Sequence, residues 1–213
     1  MMKKVRETLA GRIGILDLYS LSAREKAGLV FDTDLDFSLA TLQARQRKLP
    51  KNDVIQVFHH IWEGGMPQVQ DVDDELKRLS KTPKLYFCDT GLCAYLSMWL
   101  TPDTLRNGAA SGHYYENYVV MELVKNYAYA KSKVNLTYFR DSNAKEIDVF
   151  VEENNVIHPL EIKKSAAPDR REVKKYSIID KASLKRGNGG IICMCEEPIP
   201  IDADNCFIPS NLI

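Results

Sequence analysis

The sequence predicts an α/β domain of α+β character, a mixed sheet flanked by helices and preceded by a small, mainly helical N-terminal region. Two observations carry this reading. From Leu136 to Cys195 the pattern runs LTYFRD, EIDVFVEE, NN, VIHPLEIKKS, a basic segment through Arg186 and GGIICMC, as strand, strand, turn, strand, helix, strand. Ahead of these strands, YYENYVVMELVKNYAYAK sets Glu116, Val119, Val120, Leu123 and Tyr127 on one helical stripe.

Earlier elements are less self-sufficient. Residues before Ser80 include LAGRIGILDLYSLSAREK, an acidic DTDLD, a basic ARQRKLPK, and a helix DVIQVFHHIWEGG closed by Gly64 and Gly65. The polar, acidic stretch from Gln68 to Glu75 reads as a linker, which divides the chain into residues 1–80 and 81–213. KLYFCDTGLCAYLSMWL then reads as a short strand, a cap at Asp89 or Thr90 and a helix stopped by Pro102. Capping is preferred over catalysis for Asp89, because Asp is a favoured N-cap residue.

Composition bounds the function classes. A chain of 213 residues with 45% hydrophobic content can bury a core. Its 29 basic and 29 acidic residues balance, so no whole-chain field draws it to nucleic acid or membrane. Five cysteines, none in a CxxC pair, read as reduced and buried. With no stretch near about 18 apolar residues, no membrane partner is expected, and the chain is read as cytoplasmic. His59, His60, His113 and His158 lack metal-ligand spacing.

Chemistry concentrates in one hairpin. A two-residue turn at Asn154 and Asn155 pairs Glu153 with Val156, which carries Asp148 opposite Glu161. Alternation then sets Asp148, Glu161 and Lys163 on one face, with Ile147, Val149, Val151, Leu160 and Ile162 on the other. Opposed carboxylates, about 5 Å apart at Cβ, repel unless a cation or proton lies between them. Mg²⁺ or Mn²⁺ suits such a pair, since magnesium binds through one or two carboxylates plus substrate phosphate.

Asp148 and Glu161-Ile162-Lys163 resemble the Asp…Glu-X-Lys signature of the PD-(D/E)XK, restriction-endonuclease-like superfamily, with Glu116 matching its helix-borne acid. A longer resemblance runs through LAGRIGILDLYSLS, IWEGGMPQ, LKRLSKTPKLYFCDTGL, YYENYVVMELVK, FRDSNAKEIDVFVEE and HPLEIKKS. In that order they look like prokaryotic AAA-type ATPases with an appended nuclease-like domain of unknown function. The resemblance implies that Asp148, Glu161 and Glu116 hold the metal and that Lys163 assists phosphodiester cleavage. Two departures matter. No G-x-x-x-x-G-K-[ST] loop occurs, so neither ATP binding nor hydrolysis is expected. The spacer before LKRLSKTPK is also shorter than in similar proteins, so a shortened product or a fragment is expected.

Between Lys163 and Arg186 stand nine Lys or Arg against Asp169, Glu172 and Asp180. Lys164, Arg170, Arg171, Lys174 and Lys175 are therefore candidate contacts to a nucleic acid, DNA first. Two plainer readings stay open beside this one. The hairpin acids and Lys163 can be a solvated edge ion pair, or the fold can serve as a non-catalytic module that binds DNA or a protein partner.

Overall fold

Asn154 and Asn155 hold φ angles of 50° and 61°, the left-handed pair that a two-residue hairpin requires. The sheet grows from this turn. In a computed structural model the protein is described over residues 22–26, 28, 35–48, 53–63, 84–130, 134–140, 145–181 and 185–213. Strands β1 (Asn135–Arg140), β2 (Glu146–Glu153) and β3 (Val156–Lys163) form an antiparallel meander. Its β2–β3 register runs from Glu153 opposite Val156 to Val149 opposite Leu160, as the turn predicts.

From β3 onward the sheet becomes mixed. β4 (Lys185–Arg186) and β5 (Gly189–Cys193) run parallel to β3. β7 (Asn205–Pro209) runs parallel to β5, and β6 (Ile199–Pro200) closes the far edge antiparallel to β7. The order is β1-β2-β3-β5-β7-β6, with β4 paired to β3 off that path. Strand β7 escapes a reading based on alternation, since all five of its residues are buried. At Gly190 a Cβ would drive into the carbonyl oxygen of Cys206, so glycine permits the close β5–β7 approach.

Helices cover both faces. On one lies α6 (Ser111–Tyr129), whose Val119, Val120, Leu123 and Tyr127 pack with Val149, Leu160, Ile162, Ile192 and Ile208. Tyr114, Tyr115 and Tyr118 are buried too, so α6 is apolar around more than the predicted stripe. On the other lies a 3-10 helix, Arg170–Lys181, whose buried Val173, Tyr176 and Ile179 recur every three residues, the 3-10 period.

N-terminal segments join the α6 side. These are α1 (Ala23–Lys26), α2 (Leu39–Gln46) and α3 (Val54–Glu63). Leu35, Phe37, Leu42, Val57, Phe58 and Ile61 share the core that contains Val149 and Leu160. Tyr127 Oη donates to the Leu35 carbonyl at 2.9 Å, and Arg45 Nη1 donates to the Leu212 carbonyl at 3.0 Å. The LAGR segment, Gly64, Gly65, the linker and the boundary near Ser80 lie outside the described residues.

Asp89 caps α4 (Thr90–Leu96) by accepting from the Leu92 N–H at 2.6 Å. That helix does not run on to Pro102. It ends at Leu96 because Met98, at φ 63°, turns the chain, and Pro102 instead opens α5 (Pro102–Asn107) behind a Thr101 capping box. All five cysteines are free, with Cys193 and Cys206 buried and the other three half-buried. Among the described residues no helix is long and apolar enough to cross a membrane.

Candidate functional site

Asp148 sits in a β-bulge. Thr137 pairs with Phe150 but Phe139 pairs with Ile147, so β2 advances three residues while β1 advances two. The extra residue resets the alternation. Val149, Val151, Leu160 and Ile162 keep the predicted α6 face, whereas Ile147 crosses to pack with Val173, Tyr176, Ile191 and Cys193. The expectation that Ile147 shares a face with Val149 is therefore corrected by the bulge.

The same distortion re-aims the Asp148 carboxylate. Paired residues of β2 and β3 end at Val149 and Leu160, and beyond them Asp148 Oδ2 accepts the Ile162 N–H at 2.9 Å. A side chain takes over where the ladder stops.

Glu161 lies 2% exposed on the face covered by the 3-10 helix. Its Oε1 accepts from Lys163 Nζ at 2.6 Å and meets Lys175 Nζ at 2.9 Å. Among the described residues its Oε2 is buried without a hydrogen-bond partner. Burial first, then the charge of Asp148, push the Glu161 carboxyl above the usual range, against the pull of Lys163 and Lys175. Burial opposes the charge on Lys163, but its bond to Glu161 together with the negative charges of Glu161, Asp148 and Glu172 outweighs that and raises its pKa. Burial likewise opposes Lys175, and Glu172 at 2.8 Å together with Glu161 raise it.

A second centre forms around Lys84, which the sequence reading did not single out. Lys84 Nζ contacts Glu116 Oε1 at 2.9 Å, Asp148 Oδ1 at 3.5 Å and, closer still, Glu146. Tyr86 Oη also donates to Glu116 Oε1, at 2.8 Å. Residues 84–87 belong to no sheet, contrary to the predicted strand. Asn117 of α6 substitutes for a neighbouring strand: its Oδ1 accepts the Phe87 N–H at 2.7 Å and its Nδ2 donates to the Phe87 carbonyl at 2.8 Å. The available signal was the alternation in KLYF, which sends Lys84 and Tyr86 to one side and Leu85 and Phe87 to the other.

The predicted acids thus divide. Glu116 and Asp148 meet on Lys84, Glu161 meets Lys163 and Lys175, and the Asp148–Glu161 repulsion joins the two centres. Among the described residues no three His, Cys, Asp or Glu side chains close into a metal-holding group. The donor chemistry nonetheless fits a hard divalent cation. Magnesium needs only one or two carboxylates, and Glu161 Oε2 is a buried oxygen with no partner beside a second carboxylate. A cleft of about 450 Å³, lined in part by Lys84, Tyr86, Phe87, His113, Glu116 and Glu146, opens beside the Lys84 centre.

The five candidate nucleic-acid contacts do not form one patch. Lys164, one residue after Lys163, alternates to the α6 side, where its Nζ donates to Ser111 Oγ at 2.7 Å and the Arg106 carbonyl at 3.2 Å. Lys175 turns inward to Glu161. Arg170, Arg171 and Lys174 stay exposed on the 3-10 helix, with Arg170 over the Phe207 ring and Arg171 paired to Asp169 at 2.6 Å.

The chain matches no curated protein and no solved structure. One family match places Glu116, Asp148, Glu161 and Lys163 together inside its span and leaves Lys84 before it: residues 111–213 are similar to DUF4143, a domain of unknown function.

Proposed function

We propose that this chain carries a metal-dependent phosphodiesterase site of the PD-(D/E)XK type, with a nucleic acid, DNA first, as substrate. The observation that carries the reading is the unpartnered, buried Oε2 of Glu161 beside the bulge-borne Asp148, with Lys163 bonded to the same glutamate. Asp148 and Glu161 would hold Mg²⁺ or Mn²⁺, with Glu116 orienting the site. Bound there, the metal supplies charge on the phosphate and a more acidic water.

The chain's own residues supply the rest. The Ile162 N–H fixes Asp148 through Oδ2, which leaves Oδ1 facing Lys84 Nζ at 3.5 Å. Lys163 stays protonated on Glu161 and offsets negative charge that builds on the phosphoryl oxygens. Arg170, Arg171 and Lys174 stand exposed on the helix that sends Lys175 to Glu161, which supports a track for a phosphate backbone. The order of segments around this domain supports association with AAA-type ATPases, without ATP chemistry in this chain.

Incubating the purified chain with DNA and Mg²⁺ or Mn²⁺ tests the proposal. Cleavage is expected in wild type, and Asp148→Ala and Lys163→Ala should lower it by roughly a hundredfold or more. Equal cutting by all three would assign the activity to a contaminant.

One observation favours a second reading, a non-catalytic binding module. Lys84, Lys163 and Lys175 already partner Glu116, Glu146, Asp148 and Glu161, so the acids can serve as a largely charge-compensated structural cluster. That reading expects DNA binding that weakens steeply with salt and no affinity for divalent cations.

A further inference from the structure

We propose that Lys84 is a built-in, displaceable counter-ion, and that residues 84–87 form an arm which holds the acidic site closed until a divalent cation replaces its ammonium group. This rests on the metal-site reading above and adds to it how the site is kept shut.

A lysine ammonium has three hydrogens, and here three carboxylates from two elements, Glu116 of α6 with Glu146 and Asp148 of β2, surround one Nζ. Carboxylates gathered so closely repel unless a cation or a proton lies among them, so a cation stabilises their ionised form. Lys84 supplies that cation as the chain stands. A divalent ion on Asp148 and Glu161 would bring twice the charge beside the ammonium at Asp148 Oδ1, and like-charge repulsion disfavours both on that carboxylate.

The arm is built to leave. Residues 84–87 pair with no strand, and Leu85 and Phe87 are 81% and 49% exposed, so the apolar hold on the arm is that of Tyr86 packed against the core. Its backbone is held through Phe87 by the Asn117 amide. Glu116 Oε1 is held by two arm residues at once, Lys84 and Tyr86, so withdrawal of the arm frees this carboxylate. The arm also forms a wall of the cleft of about 450 Å³, so its movement widens the approach to Glu116 and Glu146.

Mn²⁺ binding to the full chain, read by electron paramagnetic resonance of the free ion, tests this without an activity assay. Lys84→Gln should bind Mn²⁺ at least about tenfold more tightly than wild type, because a competing charge is gone. It should also melt at lower temperature in chelator and recover with Mn²⁺. Removing any positive charge nearby would tighten binding somewhat, so Asn117→Ala separates displacement from simple charge. That variant keeps Lys84 but loosens the arm, and it too should bind Mn²⁺ more tightly, by roughly two- to fivefold for the loss of two hydrogen bonds. If Lys84→Gln tightens binding and Asn117→Ala does not, Lys84 is a fixed charge and the arm proposal fails. Equal Mn²⁺ affinity in wild type and both variants, with weaker binding in Asp148→Asn, would overturn the proposal and leave the metal site standing. No Mn²⁺ binding by any of them at millimolar concentration would remove the metal-site reading and this inference with it.

Discussion

The backbone N–H of Ile162 donates to Asp148 Oδ2 at 2.9 Å, so the carboxylate of one strand completes the hydrogen bonding of its neighbour where the ladder ends. Asp148 therefore has a structural and a chemical task, and two substitutions separate them. Asp148→Ala leaves a backbone N–H without its acceptor and should cost about 1–3 kcal/mol in a urea melt. Asp148→Asn keeps an acceptor and should stay near wild-type stability while losing cleavage. An Asn variant that cuts like wild type would remove Asp148 from the chemistry.

Lys174 and Lys175 are adjacent but play opposite roles. Lys175→Ala deprives Glu161 and Glu172 of a shared charged donor and should lower stability by about 1–3 kcal/mol. Lys174 is exposed, so Lys174→Ala should stay within about 0.5 kcal/mol. Chemical denaturation of both variants checks this, and equal costs would contradict the inward face assigned to the 3-10 helix.

The hairpin turn makes a backbone prediction. Asn155 at φ 61° sits where a β-branched residue is strained, so Asn155→Val should cost about 1–2 kcal/mol, whereas Asn155→Gly should not destabilise. Thermal melting distinguishes them, and a Val variant as stable as the Gly variant would rule out the left-handed turn.

Alkaline pH should act through Cys206. Burial pushes this thiol up to about 12, so the folded state keeps it protonated while an unfolded chain ionises near the ordinary thiol value. Its contribution is fully present below the unfolded pKa and is lost as pH rises towards 12. The stability gap between wild type and Cys206→Ala should therefore narrow on going from pH 7 to pH 10, by on the order of 1–2 kcal/mol. A gap that stays constant with pH would show Cys206 to ionise in the folded chain as it does in the unfolded one.

Much of the fold could be read along the chain because the signals are local. Two adjacent Asn residues set the turn, the turn sets the register, and the register puts Asp148 and Glu161 at neighbouring positions on paired strands. Asp89 as a cap follows from the same short-range logic. What escaped was settled by contacts distant in sequence. Ile147 changed faces because β1 imposes a bulge on β2, and β7 carries no alternation because both its faces are buried.

By itself the sequence determined the mixed α/β architecture and the Asn154–Asn155 hairpin, and it nominated Asp148, Glu161, Lys163 and Glu116 as candidates, since strand period, turn chemistry and residue spacing are written within a few residues. Only the tertiary structure decided how those acids are shared out. Lys84 approaches Glu116 from 32 positions away and Asp148 from 64, and Lys175 meets Glu161 from the 3-10 helix that covers the sheet. Electrostatic partners are chosen by distance in space, and no local pattern records it.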